Sequence, residues 1–257
     1  MDADFPGLAE RIRIVLVGTQ HPGNIGAAAR AIKTMGLRRL VLVAPERFPH
    51  ADALAMAAGA VDVLEMAVRA DSLAEAVADC RLVLGCTARS RRVALDEQSP
   101  RQAAARACAV ASAAPVALVF GRERTGLDND ELQLCHAAVH IPAHPDYSSL
   151  NLAAAVQVLA YELRLALLAR DESAEAGDAS REPPASHAEL EGFFAQLADT
   201  LDAIDFHKGR APSSALRKLR RIFLRSELEP RDVRLLRGIL ADAQRMARLA
   251  RSGNDHG

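Results

Sequence analysis

Three stretches of the chain carry residue types that chemistry uses. The first runs Gly18-Thr-Gln-His-Pro-Gly23-Asn24-Ile-Gly26-Ala-Ala-Ala-Arg30. Glycines at a strand-to-helix junction let backbone N–H groups approach a ligand, so a phosphate site has to be weighed. Two nucleotide patterns nearly fit. Gly18 and Gly23 have P-loop spacing, but Asn24 and Ile25 stand where Lys and Ser/Thr would cradle phosphate and magnesium. A dinucleotide fingerprint needs glycine where His21 stands, although Glu46 lies where a ribose-binding acid would. The second stretch is Ala117-Leu-Val-Phe-Gly121-Arg122-Glu123-Arg124-Thr-Gly126-Leu127. Three charged residues between glycines after an apolar run make either a solvated turn or a ligand loop at the end of a parallel strand. The third is Ile141-Pro142 followed by Tyr147-Ser148-Ser149-Leu150-Asn151-Leu152. By itself its serine pair is most simply a helix cap. No metal site is expected: Pro142 and Pro145 break any helix that would bring His140 and His144 onto one face.

The elements that would position these stretches are short apolar runs alternating with helical patterns. Strands are predicted at Ile12–Val17, Leu40–Val43, Leu82–Leu84, Val116–Phe120 and Val139–Ile141. Helices are predicted at Asn24–Met35, stopped by Gly36, and at Ala51–Ala58, Ser72–Ala78, Arg101–Ala111 and Asp130–Cys135. A long apolar helix is expected from Ser149 to Ala169, opened by Ser148 and Ser149. The alternation predicts an α/β fold, a mostly parallel sheet covered on both faces. After residue 170 the composition turns to Asp, Glu, Ala, Ser and Pro, which predicts a flexible linker over 171–188. Three amphipathic patterns follow in 189–257: Leu190 to Ile204; Leu216, Leu219, Ile222 and Phe223; and Val233 to Ala243. Their spacing predicts a small helical bundle.

At 257 residues the chain has room for one large domain, here 1–170, and one small one. It has no basic-then-apolar leader and no uninterrupted apolar run of membrane-spanning length, so a soluble, cytoplasmic protein without a membrane partner is expected. Cys80, Cys86, Cys108 and Cys135 have no zinc or redox spacing and read as reduced thiols. The net charge of −1 hides an asymmetry. Residues Phe206 to Arg251 hold thirteen Lys/Arg against four Asp/Glu. Such a surplus can neutralise nucleic-acid phosphates, and a solvated helical face explains it equally well.

Taken together, in their order and spacing, the three stretches resemble the SpoU branch of the SPOUT superfamily of RNA methyltransferases. "NIGAAARA" is similar to that family's first motif, "LVFGRERTGL" to its second and "IPAHPDYSSLNLAAAVQVLAYE" to its third. Within the branch the likeness is to enzymes that methylate tRNA ribose at cytidine or uridine, and it extends through Ala88-Arg-Ser-Arg91 and the basic C-terminal tail. The resemblance implies a parallel sheet whose C-terminal part forms a deep trefoil knot, a path that general topology rules treat as almost absent. It implies a homodimer, S-adenosylmethionine as cofactor and tRNA as partner, with position 32 of the anticodon loop as the target.

Carried over by position, the resemblance implies that the cofactor is cradled by Cys86, Thr87 and Ala88, by Gly121, and by Ile141, Ser148, Ser149 and Leu150. Cys86 departs from expectation, being a thiol where a hydroxyl would fit. Arg30 takes the key catalytic role. A guanidinium is rarely a base, so Arg30 is read as a stabiliser of the developing ribose oxyanion, with proton acceptance second. Ser149 would position the hydroxyl, while Asn24, Glu123 and Asn151 would brace the loops. Arg217, Lys218, Arg220 and Arg221 are the candidate RNA contacts. The alternatives are a Rossmann-like small-molecule enzyme and a noncatalytic RNA-binding protein on the same scaffold.

Overall fold

A computed structural model of the chain describes residues 5–88, 95–173, 184–208, 212–226 and 228–254. It comprises two compact units, Met1–Arg181 and Glu182–Gly257. The strands are β1 (Ile12–Val17), β2 (Arg39–Val43), β3 (Val68–Ala70), β4 (Leu82–Cys86), β5 (Glu97–Gln98), β6 (Val116–Phe120) and β7 (Ala137–Val139). The helices of the first unit are α1 (Phe5–Ala9), α2 (Pro22–Thr34), α3 (Ala51–Ala57), α4 (Val61–Glu65), α5 (Leu73–Ala76), α6 (Pro100–Ala111), α7 (Asn129–Gln133) and α8 (Leu152–Ser173). The second unit holds α9 (His187–Ala203), α10 (Pro212–Arg225) and α11 (Pro230–Asn254).

The described strands form one parallel sheet in the order β3-β2-β1-β6-β4-β7-β5. Apart from Arg13 of β1, its three central strands β1, β6 and β4 carry no charged residue, because both faces are covered. Ile12, Ile14 and Leu16 of β1, Leu40 and Leu42 of β2, Leu82 and Leu84 of β4, and Leu118 and Phe120 of β6 enter one core with α2, α6 and α8. The alternate residues Val15, Val17, Val41, Val43, Val83, Ala117 and Val119 enter a thinner core with Leu73, Val77 and Leu132. The larger side chains thus face the layer that has more helix to fill.

Helix α2 descends from the end of β1 and lies close against α3, an approach that Gly26 permits: a Cβ there would stand 2.0 Å from the Ala53 carbonyl oxygen. It ends in a Schellman motif, with Gly36 at φ 78° donating to the Lys33 carbonyl and Leu37 to the Ile32 carbonyl. Helix α8, the expected long apolar helix, contains Leu152–Arg170, long and apolar enough by length and composition to cross a membrane. In the fold its Val156, Leu159, Ala160, Leu163 and Leu167 are fully buried in the sheet's thicker core.

Several boundaries differ from those predicted. The long helix begins at Leu152, capped by Asn151, whose Oδ1 accepts from the Ala153 amide, so Ser148 and Ser149 belong to a loop and not to a cap. Strand β7 spans Ala137–Val139 where Val139–Ile141 was expected, because Val139 pairs with Cys86, the last residue of β4, and Ile141 lies past the ladder. β3 and β5 are edge strands of three and two residues, too short for a periodic signal. The expected linker over 171–188 is narrower among the described residues: α8 continues to Ser173, Ala185 is buried, and Ser186 caps α9 in a capping box with Glu189. Residues 174–183 lie outside the described set.

In the second unit Leu190, Phe193, Phe194, Leu197 and Leu201 of α9 pack with Leu216, Leu219 and Phe223 of α10 and Leu236 and Leu240 of α11. Phe193 and Phe223 meet edge to face at 4.8 Å. Ile222, expected to face inward, is exposed, and Leu224 is buried in its stead. At 100° per residue both 222 and 224 lie roughly 90–110° from the centre of the stripe defined by 216, 219 and 223, so helical period does not choose between them and tertiary packing does.

Candidate active site

The register of three adjacent strands builds the site. Phe120 of β6 and Val139 of β7 both pair with Cys86 of β4, between them, so all three strands end at one height. The residues leaving them, Thr87, Gly121 and His140, start three neighbouring loops at the carboxyl edge of a parallel sheet, where such folds hold ligands. Between these loops opens a cleft of about 900 Å³ including its open mouth.

Each loop is fixed by bonds of its own. The Thr87 amide donates to the Val139 carbonyl, and the Thr87 carbonyl lies 3.4 Å from His140 Nδ1. The β6 loop closes on itself, Gly126 donating to the Arg122 carbonyl at 2.8 Å. Gly121 is required there, since a Cβ on it would stand 2.1 Å from the Gly126 carbonyl carbon. Gly126 adopts φ 69°, a left-handed value that favours glycine. The third loop carries Ile141 and then Ser148, Ser149 and Leu150 up to the Asn151 cap.

Glu123 ties these loops to the first motif. Its carboxylate accepts from the Gln20 amide at 3.0 Å, the His21 amide at 3.1 Å and Asn24 Nδ2 at 2.9 Å. Asn24 Oδ1 in turn accepts from Asn151 Nδ2 at 3.0 Å. Burial alone would raise the Glu123 pKa, but the bonds from Asn24 and the two amides outweigh it and hold the carboxyl below its ordinary value. One carboxylate and two amide side chains therefore connect the β1–α2 loop, the β6 loop and the start of α8.

All eight residues expected to hold the cofactor, Cys86, Thr87, Ala88, Gly121, Ile141, Ser148, Ser149 and Leu150, line the cleft. Burial pushes the Cys86 thiol up to about 12, so it stays protonated. Arg30 is not brought to the cleft wall: it is exposed on α2, and its guanidinium has no hydrogen-bond or ion-pair partner among the described residues. Residues 89–91 lie outside the described set. Among the described residues no group of three His, Cys, Asp or Glu could hold a metal ion.

Arg122 and Arg124, to which motif likeness gives no role, also line the cleft. Arg122 donates to both oxygens of Glu131 at 3.0 Å and packs where Gly18 leaves room, since a Cβ on Gly18 would come within 2.7 Å of Arg122 Nε. The signal for it was present in the Asp128-to-Glu131 capping box, which brings a carboxylate back toward the loop.

In the second unit Arg217, Lys218 and Arg221 are exposed on α10. Arg220 differs from the other three candidate RNA contacts. Its guanidinium pairs through both nitrogens with Glu191 and lies 4.5 Å over the Phe194 ring, with 15% of the side chain exposed. It joins α9 to α10 as a packing residue.

Residues 11–161 match the SpoU rRNA Methylase family, and residues 188–252 match the C-terminal domain of tRNA methyltransferase TrmJ. The tRNA (cytidine/uridine-2'-O-)-methyltransferase TrmJ of Salmonella typhimurium is 49% identical over 237 residues, covering 92% of this chain and 98% of that protein. Its namesake from Escherichia coli K12 is 48% identical, with 92% and 96% covered. Among solved structures, TrmJ from Z. mobilis ZM4 superposes with a TM-score of 0.76 at 36% identity, covering 90% of this chain and 97% of that one. A probable methylase family protein from Haemophilus influenzae gives 0.63 at 40% identity, with 94% and 99% covered. With the family match spanning more than half its length and near-complete relatives at almost half identity, the chain belongs to the SpoU methylase family.

Proposed function

We propose that this protein methylates the 2′-hydroxyl of a tRNA ribose from S-adenosylmethionine, at cytidine or uridine in position 32 of the anticodon loop. The observation that carries the reading is the convergence of three loops, at the ends of β4, β6 and β7, on one cleft holding every residue expected to bind the cofactor. The near-complete relatives named for this activity support it.

The cleft fits that cofactor. Ile141 and Leu150 offer apolar walls, Ser148 and Ser149 offer hydroxyls, and the strand-end loops offer backbone groups. Protonated, the Cys86 thiol is a poor nucleophile and does not compete for a methyl group. When bound, S-adenosylmethionine supplies an electrophilic methyl group. Ser149 orients the ribose hydroxyl, and Glu123, Asn24 and Asn151 hold the loops in register so that approach is in line. Arg30, exposed on α2 and outside this chain's own cleft wall, is the candidate to stabilise the oxygen as its proton passes to solvent, once bound RNA or a second copy of the chain brings the two together. Exposed Arg217, Lys218 and Arg221 contact tRNA phosphates from the second unit.

The reading includes a trefoil knot, which membership of the SpoU methylase family supports. It includes a homodimer, to which the half-exposed Tyr161 and Leu165 on α8 offer apolar surface. The reading includes a cytoplasmic location, in keeping with a tRNA substrate, and a division into a catalytic domain, a linker and a basic tRNA-binding domain, which the two compact units support. The test is methylation of tRNA transcripts by wild type and Arg30→Ala, with S-adenosylhomocysteine affinity measured alongside. The variant is expected to bind like wild type and lose turnover. Near-wild-type turnover overturns the role of Arg30, and transcripts altered at position 32 that are still methylated overturn the target.

A further inference from the structure

Of the three charged residues on the β6 loop, two are committed. Arg122 is held by both oxygens of Glu131, and Glu123 accepts from two amides and Asn24. Arg124 is exposed, lines the same cleft, and has no hydrogen-bond or ion-pair partner among the described residues. Its loop is held rigidly: Gly126 bonds back to Arg122, and Gly121 abuts Gly126. Arg124 sits at the tip of that tight turn.

We propose that Arg124 binds the phosphate adjoining the target ribose and so positions the RNA strand at the cleft. The inference rests on the proposed tRNA ribose methylation and deepens it. A ribose 2′-oxygen is vicinal to the 3′-oxygen, which carries the phosphodiester. Any nucleotide seated with its 2′-hydroxyl in the cleft therefore brings a phosphate to the mouth. A guanidinium presents paired N–H donors that match two phosphate oxygens, and it remains charged at any working pH. Exposure of Arg124 at the mouth places the charge toward the polymer and away from the cleft floor, which is walled by Phe120, Ile141 and Leu152. Because the contact is present before and during methyl transfer, its loss acts on KM for tRNA and leaves kcat largely unchanged.

The test uses the full chain with Arg124→Gln and Arg124→Lys, scoring tRNA methylation kinetics at several salt concentrations and S-adenosylhomocysteine affinity by calorimetry. Arg124→Gln is expected to raise KM for tRNA by about three- to tenfold and to lower the slope of log affinity against log salt by about 0.7–0.9, with cofactor-product affinity unchanged. Arg124→Lys is expected to keep the slope. A KM and salt slope unchanged in both variants overturn the proposal. A fall in S-adenosylhomocysteine affinity also overturns it, by assigning the guanidinium to the cofactor carboxylate. Absence of tRNA methylation by the wild type is the failure of the functional reading itself and is distinguished by that control.

Discussion

Replacing Gly121 by alanine adds one methyl group where the β6 loop turns back on itself. That carbon would lie 2.1 Å from the Gly126 carbonyl carbon, 2.2 Å from the Leu127 amide nitrogen and 2.6 Å from the Gly126 oxygen. Gly121 does not occupy the left-handed region, so the obstacle is contact with main chain and not backbone strain. Main chain cannot swing aside as a flexible side chain would, and ordinary contact requires the loop to withdraw by about 1.3 Å. Arg122–Glu131 and the three bonds to Glu123 oppose that withdrawal. Overpacking of this kind costs about 1–3 kcal/mol, which lowers Tm by roughly 2–10 °C for a domain of this size. The displaced loop is cofactor wall, so S-adenosylhomocysteine Kd is expected to rise about ten- to hundredfold. Calorimetry on the folded variant with a parallel thermal melt measures both. A Kd within twofold of wild type and an unchanged Tm would show that the β6 loop neither resists the methyl group nor shapes the cleft.

Glu123 contributes stability that is full above its unfolded pKa of about 4.3 and lost as pH falls through its lower folded value. Thermal melts between about pH 5 and pH 3 should accordingly show a shallower slope in Glu123→Gln, and equal slopes refute the network. His187 is fully buried in the second unit, and burial pulls its pKa below the ordinary value, the nearby Arg220 adding to this against the opposing pull of Glu191. Its folded form resists protonation, so the bundle should lose stability as pH falls below about 6.5, by at most about 1.4 kcal/mol per pH unit, and His187→Leu should flatten that limb. If wild type melts identically at pH 7 and pH 5, the assignment fails. Arg220→Ala is expected to lower Tm by stripping Glu191 and Phe194 of their partner, while the double change of Arg217 and Lys218 to Gln leaves Tm alone and weakens tRNA binding with a flatter salt slope. Filter binding and melts of both variants check this, and a reversed pattern would exchange their roles.

Local pattern in the sequence was enough for many elements of both units. Apolar runs such as Ile12–Val17 and Val116–Phe120 are buried on both faces and so announce parallel strands, and the 3.6-residue period of Leu190, Phe193, Leu197 and Leu201 announces a packed helix. The cleft residues were reached through motif likeness, because the loops that form it start at Thr87, Gly121 and His140, on separate strands, and share no local period. Their meeting depends on register: Cys86 facing both Phe120 and Val139 is a property of three strands aligned side by side. Tertiary structure also separated Arg220 from its neighbours, since a charge on an amphipathic helix has the same sequence signature whether it meets solvent or a carboxylate on another helix. It moved the start of α8 from the serine pair to Asn151, because the competition among possible caps is settled by which residue also finds Asn24. Side-chain type and spacing act over one or two turns of chain, and so they determined the elements and the chemistry on offer. Partners brought together from distant segments decide which of those groups are spent on holding the fold and which remain exposed at the cleft.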